Sequence, residues 1–547
     1  MDATLAFYAL GAAVSAATAP RLKRRFDLSR AKHPSLAGHA RLAAFLARLA
    51  PGYDLDAHAF FRADDAGEEV AARRERGFAL LAQELRGRAP LTLALTAEAR
   101  EGISDLQFTA AYRVPFPFSA HVRAHLPSGA FMASAQGVTL TDLDGNVSYD
   151  LGGSYGVNLL GTDTYRGCLE RGAARVRALG PVLGPYHPVV ADNVARLRAL
   201  SGLDEVSFHM SGTEAVMQAV RLARYHTRRS HLVRFCGAYH GWWGDVQPGV
   251  GNPTPPPHTY TLKDMHEDSL RVLRQRDNVA CVLVNPLQAL HPDAGAPSDS
   301  TLLSERRAGF DRAAYTDWLR RLRAVCSARG IVLIFDEVFV GFRLAPGGAQ
   351  EYFGVKADLV TYGKTLGGGL PVGAVCGRRA LMKRYREDRP SDVCFARGTF
   401  NSHPYVMGAM NEFLRLLDTP SVRRLYEGLD DVWEGRAQRL NASLAAEDLP
   451  VRVAALSSIW TVCYPRPSRY HWMLQYYLRA QGLFLGWIGT GRLIFSLDYT
   501  DADYVAVVDR FLAAARCMRE DGWWDGRMDG RTIRRRLLRE LWDHRRR

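Results

Sequence analysis

The sequence predicts an α/β protein: a mainly parallel central sheet with helices on both faces, and smaller parts before and after it. Three observations carry this reading. From about residue 190 to 380, short apolar runs alternate with helical ones. Runs that are apolar along their whole length and separated by helices are those of strands buried on both faces. The 547 residues exceed one ordinary domain and fit roughly two to four. Hydrophobic residues make up 47% and charged residues 23%, enough to fill a core and too apolar for overall disorder.

Residues 1 to about 115 read as a helical extension, with Leu42, Phe45, Leu46 and Leu49, and again Phe78, Leu81 and Leu85, at helical spacing. Pro115-Phe-Pro117 punctuates its end. Residues 116–190 lead into the main body, contributing to a small domain and the substrate site. Within them Gly137–Asp150 alternates about Asp144-Gly145-Asn146, a hairpin signal. Residues 191–400 form the large domain. Its strand candidates are Val206–Met210, Leu232–Cys236, Val279–Val284, Ile331–Phe335, Leu359–Tyr362 and Val372–Cys376, and its helix candidates Glu214–His226 and Tyr315–Ala328. Pro253 to Pro257 is a local loop. Residues 401–520 mix helices and short strands as a smaller α+β domain, and 521–547 form a basic tail. No internal repeat is visible.

Lys+Arg total 71 against 57 Asp+Glu, a net +14. From Arg531 to Arg547 eight arginines face Glu540 and Asp543, so that short stretch carries +6 of it. A basic tail can bind nucleic acid or an anionic membrane, or be a solvated helix end. No zinc finger, RNP sequence or basic-aromatic repeat supports nucleic-acid recognition. Eight scattered cysteines form no C-x-x-C pair, which points away from zinc or a disulfide framework and toward reduced thiols in the cytoplasm. The apolar run Leu5 to Ala19 is followed, not preceded, by the basic Arg21-Leu-Lys-Arg-Arg25, the wrong order for a secretory signal. It reads as a helix packed on the main body, with a membrane-surface helix as the alternative.

Three segments carry chemistry. In Met210-Ser211-Gly212-Thr213-Glu214-Ala215 a strand ends, a small polar turn follows and a helix begins. The first N–H groups of a helix lack partners and the dipole adds positive charge there, so the turn suits a phosphate, or is an ordinary N-cap. Asp336 follows five apolar residues, which places a carboxylate at a strand's carboxyl end, where open α/β sheets bind ligands. A metal there would be the Walker B reading, but no Walker A sequence accompanies it. Lys364 lies just after another apolar strand, before Gly367-Gly-Gly369. Among only six lysines (Lys23, Lys32, Lys263, Lys356, Lys364 and Lys383) it alone has such a setting, where an amine can have a lowered pKa and act as a nucleophile. Together the phosphate cradle, strand-end acid and strand-end amine are what pyridoxal phosphate needs: a helix end for its phosphate, a lysine for its aldehyde, and a carboxylate to keep the pyridine nitrogen protonated. Tyr239 and His240, in Ala238-Tyr239-His240-Gly241, supply an aromatic lid.

The run Ser211-Gly-Thr-Glu-Ala215, Tyr239-His-Gly241, Phe335-Asp-Glu-Val-Phe-Val-Gly-Phe-Arg343, Gly347-Gly-Ala-Gln350, Tyr362 to Ala374 and Gly398-Thr-Phe400 resembles a class III (fold type I) pyridoxal-phosphate aminotransferase over about residues 130–515. The likeness is strongest to glutamate-1-semialdehyde aminomutases. The resemblance implies that Lys364 is the Schiff-base lysine and Asp336 the partner of the pyridine nitrogen. It implies that Ser211, Gly212 and Thr213 hold the phosphate, that Tyr239 and Val338 pack the two ring faces, and that Gln288 bonds the phenolic oxygen. Thr399 would reach the phosphate of a neighbouring subunit, making the enzyme a homodimer with shared sites.

Two departures stand out. Asn285-Pro286 replaces the family's usual Glu-Pro, and Gly153-Ser154-Tyr155-Gly156 replaces its Gly-Ser-Trp-Gly. Tyr155 and the pair Trp242-Trp243 are candidates to line an aromatic substrate pocket, and Arg123 and Arg343 to bind a substrate carboxylate. The expected activity is transfer of an amino group from a small-molecule donor to an aldehyde or keto acceptor, without a metal. An aminomutase is the alternative within the same chemistry, and a non-catalytic interaction protein the rival from another class. A dinucleotide-binding dehydrogenase fails on spacing, because Gly367-Gly-Gly369 is not G-x-G-x-x-G.

Overall fold

The computed structural model describes residues 19–33, 39–247, 254, 256–290, 309–486, 491–526 and 528–546. Most of the apolar run Leu5–Ala19 and part of Pro253–Pro257 lie outside them. The central sheet has seven strands: β1 (Glu205–His209), β2 (His231–Phe235), β3 (Thr259–Leu262), β4 (Val279–Val284), β5 (Val332–Asp336), β6 (Leu359–Gly363) and β7 (Gly373–Gly377), in the spatial order β1-β7-β6-β5-β4-β2-β3. Only β7 runs against its neighbours. Successive side chains point to opposite faces of a strand, and the core divides accordingly. Val332 and Ile334 of β5 face one cluster, with α1 (Gly212–Thr227); Leu333 and Phe335 face the other, with α2 (Arg312–Arg329). Strand β3 is absent from the sequence expectation for a physical reason: it is a sheet edge, its first three residues are only half-buried, and it carries no apolar run.

Besides a two-stranded ribbon of Tyr385–Arg386 and Arg389–Val393, two smaller sheets flank the body. The expected hairpin forms from Thr139–Asp142 and Val147–Asp150. Its turn is closed by the Asp142 carboxylate, which accepts from the N–H groups of Asp144 and Asn146. Met132–Gln136 joins one side, and Leu483–Phe484 pairs with the other in parallel, so residues after 480 complete a sheet begun before 150. A second, antiparallel sheet takes Arg452–Leu456, Ile459–Cys463 and Arg492–Ile494.

The N-terminal extension is helical, with segments Ala40–Leu49, Ala57–Phe61, Glu68–Arg88, Pro90–Gly102 and Ser104–Tyr112. Phe78 and Leu81 are buried, but Leu42, Phe45, Leu46 and Leu49 all lie exposed on their helix. The extension docks through an aromatic cluster in which Phe60 meets Phe61, Phe78, Phe118 and Trp472. At its centre Arg74 forms a two-pronged bond with Asp64 (2.7 and 2.8 Å), donates to the carbonyls of Phe61 and Gly522, and lies over the Tyr470 ring. The tail is more than a solvated helix end. Arg531, Arg534, Arg535 and Arg539 face out, but Gly530–Arg546 packs inward through Ile533 and Glu540. Glu540 accepts two bonds from the buried Arg469 and one from Tyr53 of the extension. All eight cysteines are free, and no described helix is long and apolar enough to cross a membrane.

Asp64→Ala would strand the Arg74 guanidinium without its counter-charge. Removing one partner of a buried pair costs about 3–5 kcal/mol, so the variant should melt well below the parent in thermal unfolding. A midpoint within one degree of the parent would refute a role for this pair in seating the extension.

Candidate active site

The chemistry-bearing residues lie at the carboxyl ends of the parallel strands. Chain exits from β1, β2, β4, β5 and β6 deliver Ser211, Tyr239 and His240, Asn285, Asp336 and Lys364 to one cavity of about 560 Å³. Close packing sets their spacing. A Cβ added at Gly212 would sit 2.5 Å from Val338 Cγ1, and one at Gly363 would lie 3.1 Å from the same atom and 3.6 Å from Gly212 Cα. Two glycines and one valine thus let the turn before α1 and the turn after β6 touch. Lys364 follows directly, at φ +48°, a left-handed conformation that costs a non-glycine residue about 1–3 kcal/mol and is typical of functional sites.

At the mouth of α1 the Ser211 hydroxyl is the N-cap, accepting from Glu214 N, while Glu214 reaches back to Met210 N. Ser211 is therefore engaged locally. The N–H groups of Gly212 and Thr213 are left at the positive end of the helix dipole, facing the cavity. The Thr213 hydroxyl stands beside Gly241, where an added Cβ would lie 2.5 Å from it.

Asp336 is buried and accepts from His240 Nδ1 (2.7 Å), Val338 N (3.2 Å) and Thr361 Oγ1 (3.3 Å). Thr361 is its partner in the β5–β6 ladder. Burial lowers the His240 pKa, with Asp336 opposing and Arg234 reinforcing the shift. The imidazole is thus neutral, with its proton on Nδ1 toward the acid, and Nε2 has no partner among the described residues. Burial likewise lowers the Lys364 amine, opposed by Asp336 and reinforced by Arg343. Glu337 points away, accepting from Ala349 N and Gln350 N, and burial lifts it to about 8.

The cavity brings together Ser211, Gly212, Thr213, Tyr239, His240, Asp336, Val338, Lys364 and Tyr155. It does not include the other expected residues. Arg343 is fully buried and spends its guanidinium on the carbonyls of Phe495, Asn158 and Gly156 and on Ser458 Oγ, so it clips backbone segments together instead of meeting a substrate. Arg123 sits on Phe116–His125, donates to Ser119 Oγ and lines a different cavity. Trp242 is 72% exposed, outside the lining. Gln288 donates to the Cys236 carbonyl, and Thr399 lies in an exposed turn. Sequence reasoning missed Arg492, Phe339, Leu287 and Ile494, which line the wall. Phe339 was inside the Phe335–Arg343 motif; Arg492 comes from a three-residue strand with no motif at all. The Asn285 departure has a structural reading: its Nδ2 donates to the Tyr239 carbonyl at 3.2 Å, a bond an ionised carboxylate does not make.

The aminotransferase class-III family profile matches residues 120–514. A glutamate-1-semialdehyde 2,1-aminomutase of Nitratidesulfovibrio vulgaris is 31% identical over 435 residues, covering 74% of this chain and 97% of that protein. One of Methanothermobacter thermautotrophicus is 33% identical over 370 residues, 64% and 81% of the respective chains. Among solved structures, a transaminase with pyridoxal phosphate bound superposes with a TM-score of 0.63 at 27% identity, covering 80% of this chain and 98% of its own. A glutamate-1-semialdehyde aminomutase of Pseudomonas aeruginosa, at 18% identity and TM-score 0.65 over 82% of this chain and 99% of that one, shares the fold. The chain belongs to the class III aminotransferase family, a family of pyridoxal-phosphate enzymes, and its residues fit that cofactor: open amides for a phosphate, an acid for a ring nitrogen, and an amine with lowered pKa within one cleft.

Because Glu337 is neutral in the folded state and ionised when unfolded, the native chain binds the extra proton between about pH 4.5 and about 8. Stability from this group is full below that window and is lost as pH rises through it. Glu337→Gln should remove that slope, so the variant's melting midpoint gains on the parent from pH 5 to pH 9. Parallel pH curves for the two proteins would contradict the assignment.

Proposed function

We propose that the cleft transfers an amino group from one small molecule to a carbonyl carbon of another. The observation that carries this reading is the convergence of Lys364, Asp336 and the α1 amides on one cavity. When bound, pyridoxal phosphate supplies a conjugated ring that accepts the electron pair left at the substrate Cα. The residues of this chain do the rest. Gly212 and Thr213 would hold the phosphate. The Asp336 carboxylate, steadied by His240 and Thr361, would pair with the pyridine nitrogen and favour its protonated form. Val338 and Tyr239 would pack against the ring. The Lys364 amine, its pKa lowered by burial, would take the proton from the substrate Cα and deliver it to the carbon of the cofactor's former aldehyde. Tyr155, Phe339, Leu287 and Ile494 make one wall suited to an apolar substrate part. Arg492, with Lys364 one of two formally cationic Lys or Arg side chains in the described lining, is placed to meet a substrate carboxylate, the role expected of Arg123 or Arg343.

A second reading is an aminomutase, which moves nitrogen within one molecule; the names of the curated relatives favour it. Two copies would share sites through the exposed Thr399 turn, beside exposed Phe395 and Phe400. The free cysteines support a cytoplasmic location.

The deciding experiment supplies the holoenzyme with single amino compounds and no acceptor. Aminotransfer should stop after one half-turnover, with the cofactor spectrum shifted to its amine form; continued product formation from one compound would establish the mutase. Lys364→Ala should lose at least about 1,000-fold in rate, since it removes both the cofactor-linking amine and the general base. Borohydride treatment should fix cofactor on the parent and not on this variant.

A further inference from the structure

A second cavity, of about 130 Å³, lies between the helices Pro90–Gly102, Ser104–Tyr112 and Phe116–His125. That is room for about four waters, or one tetrahedral oxyanion. Its chemistry is unusual for an interior. Arg100 and Arg113, each partly buried, line it with Ser128, Arg123 stands at its exposed rim, and no acidic side chain lines it. None of the three arginines has an acidic partner among the described residues. Arg113 Nη1, Arg100 Nε and Ser128 Oγ are shut off from solvent without any hydrogen-bond partner. Burial lowers the Arg113 pKa and Arg100 adds to the shift, with only Tyr476 and Tyr155 opposing it. A buried guanidinium without a counter-charge is costly, and buried polar groups are almost always satisfied. Three such donors converging on one small hollow describe half of an ion pair.

We propose that this cavity binds a small oxyanion group, a carboxylate or phosphate, held by Arg113, Arg100 and Arg123 with Ser128 as a neutral donor. The planar donor fork of arginine matches both anions. The site joins the N-terminal extension, which supplies Arg100 and Arg113, to the start of the part of the chain that defines the family, which supplies Arg123, Ser128 and Tyr476. It also adjoins the catalytic cleft. Arg113 is within electrostatic reach of Tyr155, a cleft residue, and of Arg479, whose guanidinium donates to the carbonyls of Leu485 and Gly486; Gly486 lines the cleft too. Anion occupancy therefore bears on the cleft wall that Tyr155 and Gly486 form. The anion has two possible sources, a free oxyanion or the remote acidic group of a substrate; only the second rests on the aminotransferase reading.

The test is a thermal-shift and calorimetric titration of the holoenzyme with inorganic phosphate, against sodium chloride at equal ionic strength. Phosphate should raise the midpoint saturably, and Arg113→Gln and Arg100→Gln should each weaken binding about tenfold or more by removing a charge-assisted pair. Both variants should fold, since each removes a partly buried cation that has no acidic partner among the described residues, and their cofactor absorbance reports an intact catalytic cleft independently of anion binding. Phosphate that acts no better than chloride, or equally on parent and variants, would overturn the site. Where phosphate binds, its effect on the half-reaction separates the sources. Competition with a dicarboxylic amino donor but not a monocarboxylic one assigns the cavity to a substrate group; no competition with either assigns it to a free anion.

Discussion

The site depends on one buried carboxylate. Asp336 ends a strand whose five residues are all buried, where an unpaired charge would be expensive, and the fold answers with three donors from three different elements. His240 comes from the loop after β2, Thr361 from the neighbouring strand and Val338 N from its own turn. Together these donors fix where its remaining lone pairs point. The acid is thereby oriented before any ligand arrives, and its field acts on Lys364, three residues beyond its ladder partner. Burial alone would drive the amine further toward neutrality; the acid restrains it.

Placement of the amine relative to the anion-binding turn is a matter of steric allowance. Gly212, Gly363 and Val338 leave no room for one more methyl group between α1 and β6. Lys364, held between buried neighbours, sits in a left-handed conformation, as does the more exposed Tyr155 (φ +57°). The rigid parts are strand ends and a helix end, while the substrate wall draws on Gly152, Tyr155 and Gly486, which follow strands of one smaller sheet, and on Arg492 and Ile494, which lie in a strand of another. Chemistry and selectivity are thus carried by different layers of the molecule.

Much of this was legible in the residues. Fully apolar runs marked the inner strands because both their faces are buried, and the strand-end positions of Asp336 and Lys364 followed from where those runs stop. The edge strand Thr259–Leu262 was not legible, since a half-exposed edge carries no such run. Arg343 misled because a cation inside a motif looks like a ligand-binding group; its role as a clip for four partners depends on segments far apart in sequence. Arg492 was invisible for the converse reason, entering the cleft from a three-residue strand. The helical nature of the extension was evident from periodicity, but the spacing of Leu42, Phe45, Leu46 and Leu49 reports only a common face and says nothing about which way that face turns.

The clasp between the helical extension and residues 469 to 540 bears on how the protein is made. Tyr53 and the Arg74–Asp64 pair settle against Arg469, Tyr470, Gly522 and Glu540, groups that follow them by some four hundred residues or more. Ribosomes release a polypeptide from its amino end and domains tend to fold as they emerge, so these helices must wait, with Phe60, Phe61 and Phe78 uncovered, until residues 469 to 540 have been synthesised. Throughout that interval a nascent chain exposes an aromatic surface whose eventual cover has yet to be synthesised, which makes this enzyme a natural client for chaperones that shield such surfaces during translation.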